Sequence, residues 1–116
     1  MSAPPPDRYA VIGHPVAHSR SPFIHRAFAE QTGERLEYGR IDSPPERFEQ
    51  TLREWIASAD GARGLGAVRG CNITVPLKFL VLPLAQRTSV RARLALAANV
   101  LRFDAEREGG WLADNS

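Results

Sequence analysis

Along this chain, short apolar runs alternate with segments in which apolar residues recur at helical spacing, the pattern of strands exchanging with helices. Tyr9-Ala-Val-Ile12, closed by Gly13, predicts a first strand. Ser21 as an N-cap, Pro22 at the first helical position and Phe23, Ile24, Ala27 and Phe28 on one face predict a helix ending at Gly33. Leu36 to Ile41 predicts a second strand. Ser43-Pro-Pro-Glu46 then has the spacing of a capping box, and Phe48, Leu52, Trp55 and Ile56 form the apolar face of a second helix. A glycine-rich stretch, Gly61 to Gly70, leads into a strand at Cys71 to Val75, with Pro76 placed to open a short helix. Val90, Leu94, Ala97 and Ala98 mark another helix. Asn99 to Phe103 and Trp111 to Asp114 flank a polar, Gly-Gly-containing turn, which predicts a hairpin pairing Phe103 with Gly110, Leu101 with Leu112 and Asn99 with Asp114. The order of elements predicts an α/β fold: an open, mostly parallel twisted sheet with flanking helices and one antiparallel hairpin strand near the C-terminus. Residues 1–8, with three consecutive prolines, read as a disordered tail, and residues 9–116 as one domain.

Composition narrows the classes. A chain of 116 residues with 43 % apolar and 24 % charged residues suits one ordinary core, and no apolar run approaches the ~20 residues of a membrane-spanning helix. No membrane association is expected. The opening MSAPPPDR has no apolar segment of the kind that directs export, so the cytoplasm is the expected compartment. The formal charge is +2 and the arginines are scattered, which argues against nucleic acid as a partner. The lone Cys71, close to Ile73 and Val75, reads as a buried, inert thiol. His14, His18 and His25 share no helical face and have no thiol or carboxylate cluster beside them, so no metal site is expected.

Candidate chemistry follows from the layout. Ligands of open α/β sheets bind beyond the carboxyl ends of the strands, where Ser19, Ser21, Lys78 and Asp114 should gather, with Asn99 returned to the same edge by the hairpin. Each has a plain alternative: Ser21 as a helix cap, Lys78 as a solvated surface charge, Asp114 as a turn residue. Yet Lys78 is the only lysine in a chain whose other fourteen cationic side chains are arginine. An ammonium can exchange a proton when its surroundings shift its pKa, and a guanidinium cannot. Two hydroxyls near a helix start, an amine, a carboxamide and a carboxylate would suit a small, polyhydroxylated acid.

The stretch YAVIGHPVAHSRSPFIH, residues 9–25, resembles the opening strand and S-x-S motif of the shikimate dehydrogenases. NITVPLK, residues 72–78, is similar to that family's N-[VI]-T-[VI]-P-x-K motif, and AAN at 97–99 and ADN at 113–115 fall where the family has A-V-N-T and D-N-T-D-G. The resemblance implies the substrate-binding part of an enzyme that reduces 3-dehydroshikimate to shikimate with NADPH. It implies that Ser19 and Ser21 hold the ligand carboxylate, that Asn72, Thr74, Asn99 and Asp114 bond ring hydroxyls, and that Lys78 is the acid/base residue paired with Asp114. Phe79 stands where the family usually has an acidic residue, and Val100 replaces the family's threonine. No NADP site is expected in this chain: GLGAVRG, residues 64–70, follows a helix and precedes a strand, the reverse of a dinucleotide-binding turn, and reads as a linker. The resemblance thus implies binding without turnover by this chain alone. The other readings are a stand-alone shikimate- or quinate-binding regulatory module, and an inactive remnant. Apolar surface left by missing domain contacts would favour self-association, in its simplest form a homodimer.

Overall fold

The structure, a computed structural model, describes residues 5–16, 36–104 and 110–115. The predicted helix from Ser21 to Gly33 lies outside the described residues. Six strands and two α-helices are described: β1 (Asp7–Gly13), β2 (Leu36–Asp42), α1 (Phe48–Ala57), β3 (Val68–Ile73), β4 (Arg87–Thr88), α2 (Val90–Ala95), β5 (Val100–Asp104) and β6 (Gly110–Asp114). They form one sheet in the order β2-β1-β3-β5-β6-β4. β1 pairs in parallel with β2 and β3, β5 runs antiparallel to β3 and β6, and β4 is parallel to β6. Every strand except β5 therefore points the same way, which is the mixed α/β sheet that the sequence predicts.

Alternation along the strands sorts the side chains between two faces. Ile12, Cys71, Ile73, Leu101 and Ala113 meet Phe48 and Leu52 of α1 in the main core, together with Leu77 and Val81. Each of the larger fully buried side chains among them contributes on the order of 1.5–3 kcal/mol of hydrophobic stabilisation. Val11, Val16 and Tyr38 form a smaller cluster, with Tyr9 and Leu36 packed against it. Burial on both faces explains why β1 reads as a continuous apolar run. Cys71 sits in the main core, and burial pushes its thiol pKa far above the ordinary range, so it is held as an unreactive thiol.

Several expectations are corrected. The hairpin is offset by one residue: Phe103 pairs with Trp111, Leu101 with Ala113 and Val100 with Asp114. The observed register sets fully buried Leu101 against fully buried Ala113, where the predicted one would oppose it to half-buried Leu112. It also stacks Phe103 edge-on between Trp111 and Trp55, with centroid distances of 5.5 and 6.1 Å. Ser43 makes no capping box: it is fully buried, and its hydroxyl donates to the Pro44 carbonyl and to Thr51 Oγ1 at 3.2 Å. A 3-10 turn over Pro45–Arg47 enters α1 instead. Asp7 and Arg8, placed by sequence in the tail, belong to β1, where Arg8 reaches the Gly66 carbonyl and Ser58 Oγ at 2.8 Å. β3 starts at Val68, inside the stretch read as a linker, and ends at Ile73. Pro76 opens no helix; Leu77 N donates to the Thr74 carbonyl and Leu80 N to the Leu77 carbonyl, which makes successive turns. The two-residue β4 carries no sequence signal and gains its strand geometry from β6.

The helix α2 inverts its predicted face. Ala92 is buried while Val90 and Leu94 are 63 % and 82 % exposed, and Ala97 and Ala98 are buried beyond the helix end. Ser89 caps it by accepting from Ala92 N, and Leu96, at φ 55°, terminates it in the left-handed region. A branched side chain in that region costs roughly 1–2 kcal/mol, and Leu96 is mostly exposed, so little packing offsets the cost. Replacing Leu96 with glycine should therefore raise the unfolding free energy by about 1 kcal/mol, read as a higher urea midpoint at unchanged slope; an unchanged or lower midpoint would contradict the strain.

Candidate functional site

Because only β5 is reversed, the carboxyl ends of β1, β2, β3, β4 and β6 and the start of β5 all reach one edge of the sheet. Backbone hydrogen bonds lace this rim together. Thr74 N donates to the Ile12 carbonyl at 2.9 Å, Ile73 N to Asn99 O at 2.8 Å, Asn99 N to Asp114 O at 3.0 Å and Ala98 N to Lys78 O at 3.0 Å. On the β1 side, His14 N reaches Val75 O at 3.2 Å and Ser43 N reaches Gly13 O at 3.0 Å. Of the residues that the sequence singled out, Asn72, Thr74, Lys78, Asn99 and Asp114 are brought to this rim. Ser19 and Ser21 lie outside the described residues.

The side chains are set by the same packing. In β3, buried Cys71 and Ile73 face the core, so Asn72, and Thr74 just beyond the strand, project from the opposite face and are half-buried. The Tyr38 hydroxyl, from β2, donates to Asn72 Oδ1, so the carboxamide oxygen is engaged and the N–H₂ is the group's donor end. Thr74 packs against Gly13: a Cβ there would fall 2.2 Å from Thr74 Cγ2, so only glycine permits the approach. Leu77, fully buried, anchors the turn that carries half-buried Lys78.

Asp114 is the most closely held group. Its Oδ1 accepts from Ser89 Oγ at 2.6 Å and from Asn115 N at 2.7 Å, and its Oδ2 accepts from Arg91 Nη2 at 2.7 Å. The Ser89 hydrogen bond and then the Asn115 amide hold its carboxyl below the usual carboxylate range; desolvation opposes them, and the Arg91 hydrogen bond and charge add lesser contributions. Among the described residues no ion pair joins Lys78 to Asp114. His14 Nδ1 and Asp42 Oδ1, at the ends of β1 and β2, lie 2.6 Å apart on the same edge and are about half exposed. Among the described residues no group of three or more His, Cys, Asp or Glu is arranged to hold a metal ion. Sequence reasoning missed Tyr38, Ser89 and Arg91. The first is hidden because its role is a pairing across strands 34 residues apart, the other two because they act through Asp114.

Comparison with known proteins places this geometry. A family model for the shikimate dehydrogenase substrate binding domain matches residues 11–101. The shikimate dehydrogenase (NADP(+)) of Methylibium petroleiphilum is 56 % identical over 110 residues, which cover 95 % of this chain and 36 % of that protein. Among solved structures, an Ael1 enzyme from Pseudomonas putida superposes with a TM-score of 0.80 at 40 % identity, over 94 % of this chain and 36 % of the other. A shikimate 5-dehydrogenase from Thermus thermophilus, solved in complex with NADP(H) and shikimate, superposes with a TM-score of 0.78 at 33 % identity, over 93 % and 37 % of the two chains. The chain thus spans little more than a third of the length of these relatives. Since the matched span runs from β1 to β5 and takes in Asn72, Thr74, Lys78 and Asn99, the chain belongs to the shikimate dehydrogenase substrate-binding domain family.

Proposed function

We propose that this chain is the substrate-binding part of a shikimate dehydrogenase, which reduces 3-dehydroshikimate to shikimate with NADPH, and that by itself it binds the acid without turning it over. The observation that carries this reading is the gathering of Asn72, Thr74, Lys78, Asn99 and Asp114 on one laced rim. Asn72, Thr74, Asn99 and Asp114 supply donors and acceptors for ring hydroxyls, and Ser19 and Ser21 hold the carboxylate. As a ketone is reduced, negative charge grows on its oxygen; the Lys78 ammonium stabilises that charge and delivers the proton, with Asp114 as its acidic counterpart. In the resting arrangement Asp114 is occupied by Ser89 and Arg91, so its pairing with Lys78 belongs to the ligand-bound state.

The relatives' names include NADP(+), and the described residues do not fit such a cofactor. Gly61, Gly64 and Gly66 precede β3 instead of following a strand, Gly70 lies within β3, and a Cβ at Gly66 would fall 1.9 Å from the Pro6 carbonyl oxygen. That loop is filled by the chain's own N-terminal segment and has no room for a pyrophosphate. The cofactor is assigned to a part of the relatives outside the shared span, and no step is derived through it. Among the described residues no helix is long and apolar enough to cross a membrane.

Titration of the chain with shikimate, followed by amide NMR, should give saturable shifts at Thr74, Lys78 and Asn99; no shift at several millimolar shikimate would overturn the reading. Tyr38→Phe, which frees Asn72 to rotate, should weaken shikimate about 3- to 10-fold with the fold unchanged by circular dichroism. In the chain joined to the remaining part of a relative, Lys78→Ala should lower turnover by about 10²- to 10⁴-fold while shikimate affinity changes far less.

A further inference from the structure

Asp114 has two oxygens with different fates. Oδ1 is saturated by Ser89 Oγ and the Asn115 amide, whereas Oδ2 has one partner, the guanidinium of Arg91, whose side chain is 68 % exposed. A carboxylate oxygen accepts about two hydrogen bonds, so only Oδ2 retains capacity for a ligand hydroxyl. The same Ser89 hydroxyl accepts from Ala92 N at 3.1 Å as the N-cap of α2, and Ser89 N donates to Ala113 O at 2.9 Å. Ser89 is thereby fixed to α2 on one side and to β6 on the other. Its hydroxyl proton can point only at Asp114, because its lone pairs are turned to the helix amide.

We propose that Ser89 is the positioning residue of Asp114: its doubly bonded hydroxyl locks the carboxylate rotamer so that Oδ2 faces the ligand, and Arg91 is an exchangeable counter-ion that the ligand displaces. This inference rests on the reading of the rim as a shikimate site, and it adds a residue outside the motifs that led there. The charged groups on the elements packed around Asp114 are Arg91 and Arg93 on α2, Arg87 on β4, Arg102 and Asp104 on β5, and Lys78 on the turns after β3. Of these, Arg91 is the one in contact with it. An ionised Asp114 is the stronger acceptor for a ligand hydroxyl, so affinity weakens as pH falls through its depressed pKa, and loss of the Ser89 bond moves that weakening to higher pH.

Three variants separate positioning from mere helix capping. Ser89→Ala removes both roles, Ser89→Thr keeps both, and Ser89→Asp caps α2 but sets a second carboxylate against Asp114. Each is read in two ways: the ¹³C carboxyl titration of Asp114 in the free chain, and the pH profile of shikimate affinity. Ser89→Ala and Ser89→Asp should both raise the Asp114 midpoint and weaken shikimate by about tenfold near neutral pH, with Ser89→Thr close to wild type. Arg91→Gln, which removes the contact that the ligand displaces, should tighten shikimate by up to a few-fold, and weaker binding in that variant would overturn the exchange. An Asp114 midpoint unmoved in Ser89→Asp, or wild-type affinity in that variant, would overturn the proposal. Failure of wild-type chain to bind shikimate would instead sink the functional reading, while the ligand-free titration would still decide whether Ser89 governs Asp114.

Discussion

The hydrogen bond from the Asn99 amide to the Asp114 carbonyl is the constraint on which the site depends. It closes the gap between the start of the one reversed strand and the end of its neighbour, and with the Ile73–Asn99 bond it ties β3, β5 and β6 at a single level. Parallel strands alone would deliver only chain ends to this edge. A reversed strand delivers a beginning as well, so residues from four separate stretches of sequence meet without any long loop. The fully buried Leu77, Ala98, Leu101 and Ala113 directly beneath convert that lacing into a rigid platform, because none can shift without opening a void in the core.

Much of this was legible in the chain. The runs at Tyr9–Ile12 and Leu36–Ile41, and the recurrence of Phe48, Leu52, Trp55 and Ile56, were each local signals strong enough to survive folding. Strand order also brings Lys78, Asn99 and Asp114 to one edge, whereas Asn72 and Thr74 are pointed to only by the resemblance of NITVPLK to a family motif. What was not legible depends on partners distant in sequence. The hairpin register was decided by Leu101 fitting opposite Ala113 and by the Trp55–Phe103–Trp111 aromatic stack, neither of which a turn length reveals. The periodicity of Val90, Leu94 and Ala98 points to the wrong face of α2, because the residue of the helix that is buried is the small Ala92. Ser43 looked like a cap because its spacing from Glu46 matches one; burial turned its hydroxyl to Thr51 instead.

Asp114 and Lys78 share one rim without sharing an ion pair. Their backbones are linked through the Ala98–Asn99 segment, yet the carboxylate is directed to Ser89 and Arg91. An acid held ionised by hydroxyl and amide donors keeps its charge without depending on the amine. Apolar side chains on the same turns and on α2, among them Val75, Phe79, Leu80 and Leu94, stand in solvent in this chain. That is the environment in which a covering surface would dry the amine and sharpen its chemistry.

β2 forms one outer border of the sheet with seven residues, and β4 forms the other with two. The short border offers almost nothing for a stray strand to add to, but the long one is a template for unwanted chain-to-chain association. Its defence is written in alternating signs, with Glu37, Arg40 and Asp42 exposed along it and Gly39 interrupting the run. Pairing two copies through this border in parallel register would set like charges against each other at each of those three steps, so neutralising them for solubility or crystallisation would remove a barrier to edge-to-edge pairing.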